Sequence, residues 1–235
     1  MDNAIFITGT DTAVGKTVIT GLLGRFLIDR GMDVVTQKWV QTGSSRFAGD
    51  ITRHMELMGM SEEKMREYRS HMEPYVLKFA SSPHLAASLE GARIDPARIE
   101  DSFLRLKERF DLVLVEGSGG LMVPVNEEKF IVDIAAKLGM KVLIVSSNKL
   151  GAINQTLLTA EALKRRNVSI LGIVFNRLSD ETEEVILRDN MDIIARLTGE
   201  EVLGELKYNR EGAPEAFYRD FLPIGERILK RIKES

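Results

Sequence analysis

The chain has 235 residues, no cysteine and a formal net charge of −3. The absence of cysteine excludes a disulfide framework, a thiol nucleophile and a thiolate metal centre. The charge argues against a nucleic-acid partner held by bulk electrostatics. The length suits one large α/β domain over residues 1–235, able to bury its core without staples. No apolar run is long enough to span a bilayer.

Met1 to Ile7 has no basic n-region and leads straight into a strand, so a cytoplasmic protein is expected. The first strand, at 4–8, runs into Gly9-Thr10-Asp11-Thr12-Ala13-Val14-Gly15-Lys16-Thr17, and a helix follows over 15–30. Such a loop between strand and helix binds phosphate. The backbone N–H groups of Thr12, Ala13, Val14, Gly15, Lys16, Thr17 and Val18 and the helix N-terminus offer partial positive charge to an anion. Lys16 supplies a point charge for the outer phosphates, and the Thr17 hydroxyl is placed to ligate Mg²⁺. The first glycine is displaced: four residues back from Gly15 stands Thr10, and the nearest glycine is Gly9, one position further out.

The second strand, at 33–37, continues into Gln37-Lys38-Trp39-Val40-Gln41-Thr42-Gly43, which puts Lys38 and Thr42 beside the loop. The stretch 42–83 is the least regular and carries one helix, at 50–58. Asp50 opens that helix either as its N-cap or as a Mg²⁺ ligand with Thr17 and Glu116. His54 and His71 read as surface or packing residues. Ser81-Ser82-Pro83-His84 starts a helix over 84–91, with Ser82 as cap and Pro83 first in the helix. A further helix spans 96–109. The third strand, at 111–115, ends in Glu116-Gly117-Ser118-Gly119-Gly120. A carboxylate directly after an apolar strand belongs on the metal side of a phosphoryl-transfer site, and the glycines let a substrate approach the backbone. Asp111, at the other end, reads as solvated or capping.

After a helix at 131–138 come a strand at 141–146, a helix at 152–166 and a strand at 168–175 ending in Asn176-Arg177. The Asn176 amide can donate to and accept from an adenine edge, or serve a turn. A helix at 182–197, a strand at 201–204 and a helix at 223–233 complete the chain. Strands that are continuous apolar runs, alternating with helices, specify an α/β fold with a doubly wound, mostly parallel sheet, here of the P-loop NTPase type. Ligands bind beyond the carboxyl ends of such strands.

Together these motifs, from about residue 4 to 210, resemble the ATP-dependent dethiobiotin synthetases of biotin biosynthesis. Thr8-Gly9-Thr10-Asp11-Thr12 with Val14-Gly15-Lys16-Thr17 looks like that family's variant loop, displaced glycine included. Lys38, Val40, Thr42 and Gly43 resemble its lysine-proline-valine-x-serine-glycine segment. Ser82-Pro83-His84, Glu116 to Leu121 with Val123-Pro124, Lys149-Leu150-Gly151-Ala152-Ile153-Asn154, Asn176-Arg177 and Val202-Leu203-Gly204 follow in order.

The resemblance implies that Lys16, Thr17, Asp50 and Glu116 hold Mg²⁺·ATP, with Gly117, Ser118, Gly119 and Gly120 alongside. It implies that Lys38 and Thr42 contact the substrate and the transferring phosphoryl group, and that Asn176, with Arg177 beside it, reads the adenine. A homodimer is implied, in which Leu150, Gly151, Ala152, Ile153 and Asn154 of the partner subunit receive the substrate's distal carboxylate on helix N–H groups. The implied reaction joins 7,8-diaminopelargonic acid with CO₂ (or bicarbonate) at the expense of ATP. Nucleic acid and membrane are not expected partners.

Three positions depart from the family pattern. Ala13 stands where glutamate is common, Trp39 and Gln41 replace a proline and a small residue, and Lys207-Tyr208-Asn209 replaces a proline-containing turn. The competing reading is a switch ATPase of the partitioning or septum-positioning kind. Such proteins usually carry an extra lysine early in the loop, where this chain has Gly9-Thr10-Asp11. An amidotransferase-linked ligase of cobalamin synthesis would need a cysteine.

Overall fold

A computed structural model describes residues 3–209 and 214–234. In chain order the elements are β1 (Ala4–Gly9), α1 (Lys16–Ile28), β2 (Val34–Lys38), β3 (Val40–Gln41), α2 (Gly49–Met58), α3 (Glu62–Met65), α4 (Arg69–Met72), β4 (Tyr75–Val76) and α5 (Pro83–Leu89). They continue with α6 (Pro96–Arg109), β5 (Leu112–Gly120), α7 (Ile131–Lys137), β6 (Lys141–Ser147), α8 (Ala152–Lys164), β7 (Ile170–Asn176), α9 (Glu184–Thr198), β8 (Val202–Leu206) and α10 (Pro214–Lys233).

Six strands form one sheet in the order β2-β5-β1-β6-β7-β8, and every described pairing in it is parallel. The strand order reverses around β1, so the loop after β1 opens at the switch point where such sheets bind ligands. Alternation along the strands divides the core. Ile5 and Ile7 of β1 face α1 and α10, packing with Ile19, Leu23, Phe26, Phe221 and Ile228. Ala4 and Phe6 face the opposite layer, with Trp39, Phe103, Val113 and Ile134. Residues two apart share a face of a strand, so a doubly covered sheet needs apolar residues at every position.

The expected strands and helices are all present, with ends shifted by a few residues. The largest differences lie at β5, which continues through the glycines to Gly120, and at α10, which begins at Pro214 rather than 223. Pro223 lies inside that helix. Packing holds the helix together across it: Phe221 meets Phe26 edge-on at 6.4 Å, and a Cβ on Gly225 would stand 2.5 Å from the Phe26 ring. The irregular stretch contains the short helices α3 and α4 and a small parallel pair, β3 with β4, none of which the apolar pattern announces.

Candidate active site

The loop between β1 and α1 is shaped by two left-handed residues, Ala13 (φ 55°) and Gly15 (φ 93°). At Gly15 a side chain is excluded twice over, because a Cβ there would lie 1.9 Å from Asn176 Nδ2. That amide donates to the Val14 carbonyl at 3.0 Å, so Asn176 supports the loop from the end of β7. The displaced Gly9 has its own reason. A Cβ at Gly9 would stand 2.7 Å from the Asp11 carbonyl and 2.9 Å from Lys16 Nζ, and Lys16 itself donates to that carbonyl at 3.1 Å. The glycine clears the space through which the lysine reaches across its loop.

Beside the loop, the ends of β2 and β5 pair in register, Lys38 opposite Glu116. Lys38 Nζ donates to Glu116 Oε1 at 2.7 Å and to the Gly117 carbonyl at 2.9 Å, and meets Asp50 Oδ2 at 2.7 Å. An ammonium has three donors, and these three acceptors use them all. Glu116 Oε1 also accepts from the Thr17 hydroxyl at 3.2 Å, while Oε2 faces His54 Nε2 at 2.7 Å. Lys38, Glu116 and His54 are all buried. Thr17, Asp50 and Glu116 thus bring hard oxygen donors to one cleft. Such a set fits Mg²⁺, which binds through one or two carboxylates, a hydroxyl, waters and phosphate oxygens rather than an all-protein cage. No group of three or more His, Cys, Asp and Glu side chains placed to hold a metal occurs among the described residues.

Opposed charges set the proton affinities. Burial alone would raise the Glu116 carboxyl, but the Lys38 charge and the bonds from His54 and Lys38 outweigh it and hold it far below the usual carboxylate range. Burial likewise depresses the Lys38 ammonium, yet Glu116 and Asp50 together overcome this and raise it. Lys16 has weaker compensation. Burial, then the nearby Lys38 charge, lower it to about 8.

A cleft of about 410 Å³ is lined by Thr12, Ala13, Gly15, Lys16, Thr17, Val18, Lys38, Thr42, Asp50, Glu116, Ser118 and Gly119, together with Val40 and Gln41. Most of the residues singled out by sequence therefore converge. Gly120 sits beside Gly9 at the sheet edge of the loop, and Gly117 packs on Phe6, where a Cβ would come within 2.8 Å of the ring. Two groups stand apart. Arg177 is bound to Glu184 at 2.6 Å and Glu205 at 3.0 Å, away from the cleft. The Leu150–Asn154 turn, at the start of α8, does not line the cleft of its own chain, and Leu150 is 81% exposed.

Asp50 is not the N-cap, a position held by Ala48; it is the second residue of α2, turned onto Lys38. Ser82 does hold the cap position of α5, with Pro83 next, although its side chain makes no capping bond. Neither Trp39 nor Gln41 disturbs the site. Trp39 points into the core, stacked on Phe6 at 5.0 Å, its indole N–H donating to Gln37 Oε1 at 3.0 Å. Gln41 Oε1 accepts the Asp50 backbone N–H at 3.3 Å, meeting one of the orphan donors at the start of α2. The residue that sequence reasoning passed over is His54. Its signal was its spacing: four residues after Asp50, it shares that helix face.

Fold and loop define a P-loop nucleoside-triphosphate-binding protein with a carboxylate–lysine cluster at its phosphate end. A family model described as an AAA domain matches residues 3–216. The chain is 42% identical to an ATP-dependent dethiobiotin synthetase of Chlorobaculum tepidum over 80% of its own length and 78% of that protein. It is 42% identical to another from Haemophilus influenzae over 75% of its own length and 92% of that protein. The chain belongs to the ATP-dependent dethiobiotin synthetases, ligases of biotin biosynthesis that form carbon–nitrogen bonds. Its fold is shared with the cell division ATPase MinD of Pyrococcus furiosus (TM-score 0.58, 22% identity, 98% of this chain and 99% of that one). It is also shared with pNOB8 ParA (TM-score 0.60, 14% identity, 100% and 99%). At such identities the likeness is one of fold, and the switch-ATPase reading is not favoured.

Proposed function

We propose that this cleft closes a cyclic urea on 7,8-diaminopelargonic acid, using CO₂ and ATP and releasing dethiobiotin, ADP and phosphate. The observation that carries the reading is the convergence of Lys16, Lys38, Thr17, Asp50 and Glu116 on one cleft in a chain of this family. One substrate amine attacks CO₂, forming a carbon–nitrogen bond and, after losing a proton, a carbamate. A carbamate oxygen attacks the γ-phosphorus and ADP leaves. The second amine then attacks the carbonyl carbon of the mixed anhydride, phosphate departs, and the amine proton is released. The substrate supplies both nucleophiles, which suits a site with no cysteine and no serine–histidine pair in its lining.

The protein's part is position and charge. Lys16 lies where the outer phosphates emerge from the loop. Lys38 is held ready in its charged form and, to reach the carbamate and γ-phosphoryl oxygens, hands over part of its bonding to Asp50, Glu116 and the Gly117 carbonyl. Thr42 faces the same space. Thr17, Asp50 and Glu116 would hold Mg²⁺, which neutralises charge on the phosphates when bound. Asn176 would read the adenine with its carbonyl oxygen and the second N–H of its amide, the first being engaged on the loop.

The enzyme works as a homodimer in this reading. Leu150, Met122 and Leu158 are exposed on or near the turn that would serve the partner's substrate, and an apolar face of this kind suits a second copy. No helix among the described residues is long and apolar enough to cross a membrane. The decisive assay follows ADP release with diaminopelargonate and bicarbonate present, then with either omitted. Release that needs both supports the reading; hydrolysis indifferent to the diamine would overturn it.

A further inference from the structure

We propose that His54 is a positioning residue for Glu116, fixing the orientation in which its carboxylate is presented to the nucleotide's metal. This rests on the reading of Glu116 as a Mg²⁺ ligand. The two oxygens of Glu116 have different surroundings. Oε1 lies at the cleft, with Thr17 at 3.2 Å and Lys38 at 2.7 Å. Oε2 lies behind it, 2.7 Å from His54 Nε2. Glu116 pairs with the Lys38 ammonium and an ionised carboxylate only accepts, so the ring nitrogen facing it is the donor. The last torsion of a glutamate is soft and roughly two-fold. Without a donor behind Oε2, the plane of the carboxylate is no longer held, and the buried Oε2 loses its partner.

His54 is itself held rigidly. The ring is fully buried, on a helix that lies unusually close to α1. A Cβ on Gly21 would come within 2.7 Å of Leu57, and one on Gly24 within 2.7 Å of Met58, so two glycines of α1 let α2 approach closely on the turn after His54. The other ring nitrogen, Nδ1, is buried with no hydrogen-bond partner. A histidine kept only to satisfy the core would be expected to use both nitrogens. This one leaves a polar atom unpaired and is anchored through its bond to Glu116. The geometry is that of an outer-shell partner which orients a ligand. One helix face thereby serves the site twice, with Asp50 on Lys38 and His54 on Glu116.

The test compares full-length wild type, His54→Leu, His54→Gln and His54→Asn. Mn²⁺ binding to the ADP complex is measured by electron paramagnetic resonance, and ADP affinity in EDTA by calorimetry. Loss of the donor in His54→Leu should weaken Mn²⁺ binding by roughly 10- to 100-fold while leaving ADP affinity in EDTA almost unchanged. Gln, whose amide reaches as far as Nε2, should restore most of the loss; Asn, one carbon shorter, should not. Folded His54→Leu that binds Mn²⁺ like wild type overturns the proposal, as does an equal loss of ADP affinity in EDTA, the mark of a purely structural role. If His54→Leu does not fold, equal Mn²⁺ affinities for the Gln and Asn variants overturn it instead. Wild type whose ADP complex fails to bind Mn²⁺ would reject the metal reading of Glu116 itself, a result distinct from failure of the histidine's role.

Discussion

Lys16 should make nucleotide binding take up a proton, and the size of the effect follows from its surroundings. Burial and the neighbouring Lys38 lower its ammonium to about 8, so near pH 8 half of the free protein lacks the charge that a phosphate needs. A polyanion arriving within reach of the amine favours the charged form and draws the proton back. For a group of this acidity, linkage gives an uptake of about 0.1 proton at pH 7, about 0.5 at pH 8 and about 0.9 at pH 9. Affinity follows the protonated fraction, so it should fall about tenfold between pH 7 and pH 9, or about 1.4 kcal/mol. The assay is calorimetric titration of ADP in EDTA, from pH 7.5 upward where the phosphates are already ionised. Two buffers of different ionisation enthalpy report the protons taken up.

The same shift acts on folding with the opposite sign. The folded pKa lies below the unfolded value of 10.5, so between about 8 and 10.5 the unfolded chain binds more protons, and stability from this group rises with pH. Affinity falls over a range in which this contribution to stability grows, which separates the effect from alkaline unfolding. Lys16→Arg, whose guanidinium does not titrate here, should abolish the proton uptake. Equal ADP affinity at pH 7.5 and pH 9 with no proton uptake, or an unchanged profile in Lys16→Arg, would refute the reasoning.

Four further outcomes are expected. Gly15→Ala should weaken ADP binding by two orders of magnitude or about that, since φ is 93° and the new Cβ meets Asn176; adding Asn176→Ala should relieve the clash but not the backbone strain, and full recovery by calorimetry would contradict this. Lys38→Ala should abolish ring closure while nucleotide binding survives, at a stability cost of up to about 3–5 kcal/mol for the buried Glu116 carboxylate left without its cation; unchanged turnover would show that its role is misassigned. Leu158→Arg, on an exposed apolar residue of α8, should shift sedimentation from dimer to monomer and lower turnover while ADP binding persists; a dimer of unchanged stability would place the interface elsewhere. Lys207-Tyr208-Asn209 should relax the base preference, seen as equal turnover with ATP and GTP; strict ATP dependence would sink that expectation.

Residues at strand ends were legible in the sequence because topology decides their destination. Once the strands are parallel and the phosphate loop follows β1, Lys38 at the end of β2 and Glu116 after the third apolar run must arrive at the same edge of the sheet. Their pairing opposite one another is a consequence of register between neighbouring strands. Helix faces carry less information. Asp50 suits both a cap and a ligand, and only the position of Ala48 ahead of it rules out the cap. Trp39 is legible only as a departure from the family pattern beside Lys38 until the strand end is seen to turn it onto Phe6. Pro223 reads as the first residue of a helix, because the contacts carrying α10 through it come from Phe26, far away in sequence.

His54 is the instructive case. Its partner lies 62 residues away, and the spacing that ties it to Asp50 says only that the two share a face, not where the face looks. That direction is set by Gly21 and Gly24, whose missing side chains let α2 settle onto α1. A glycine within an exposed helix costs stability relative to alanine, so two of them on one face of α1 mark a close helix contact. Glycines at helical spacing on the helix after a phosphate loop therefore predict which neighbouring helix lies closest. The polar residues of that neighbour are then the ones to suspect of reaching the site.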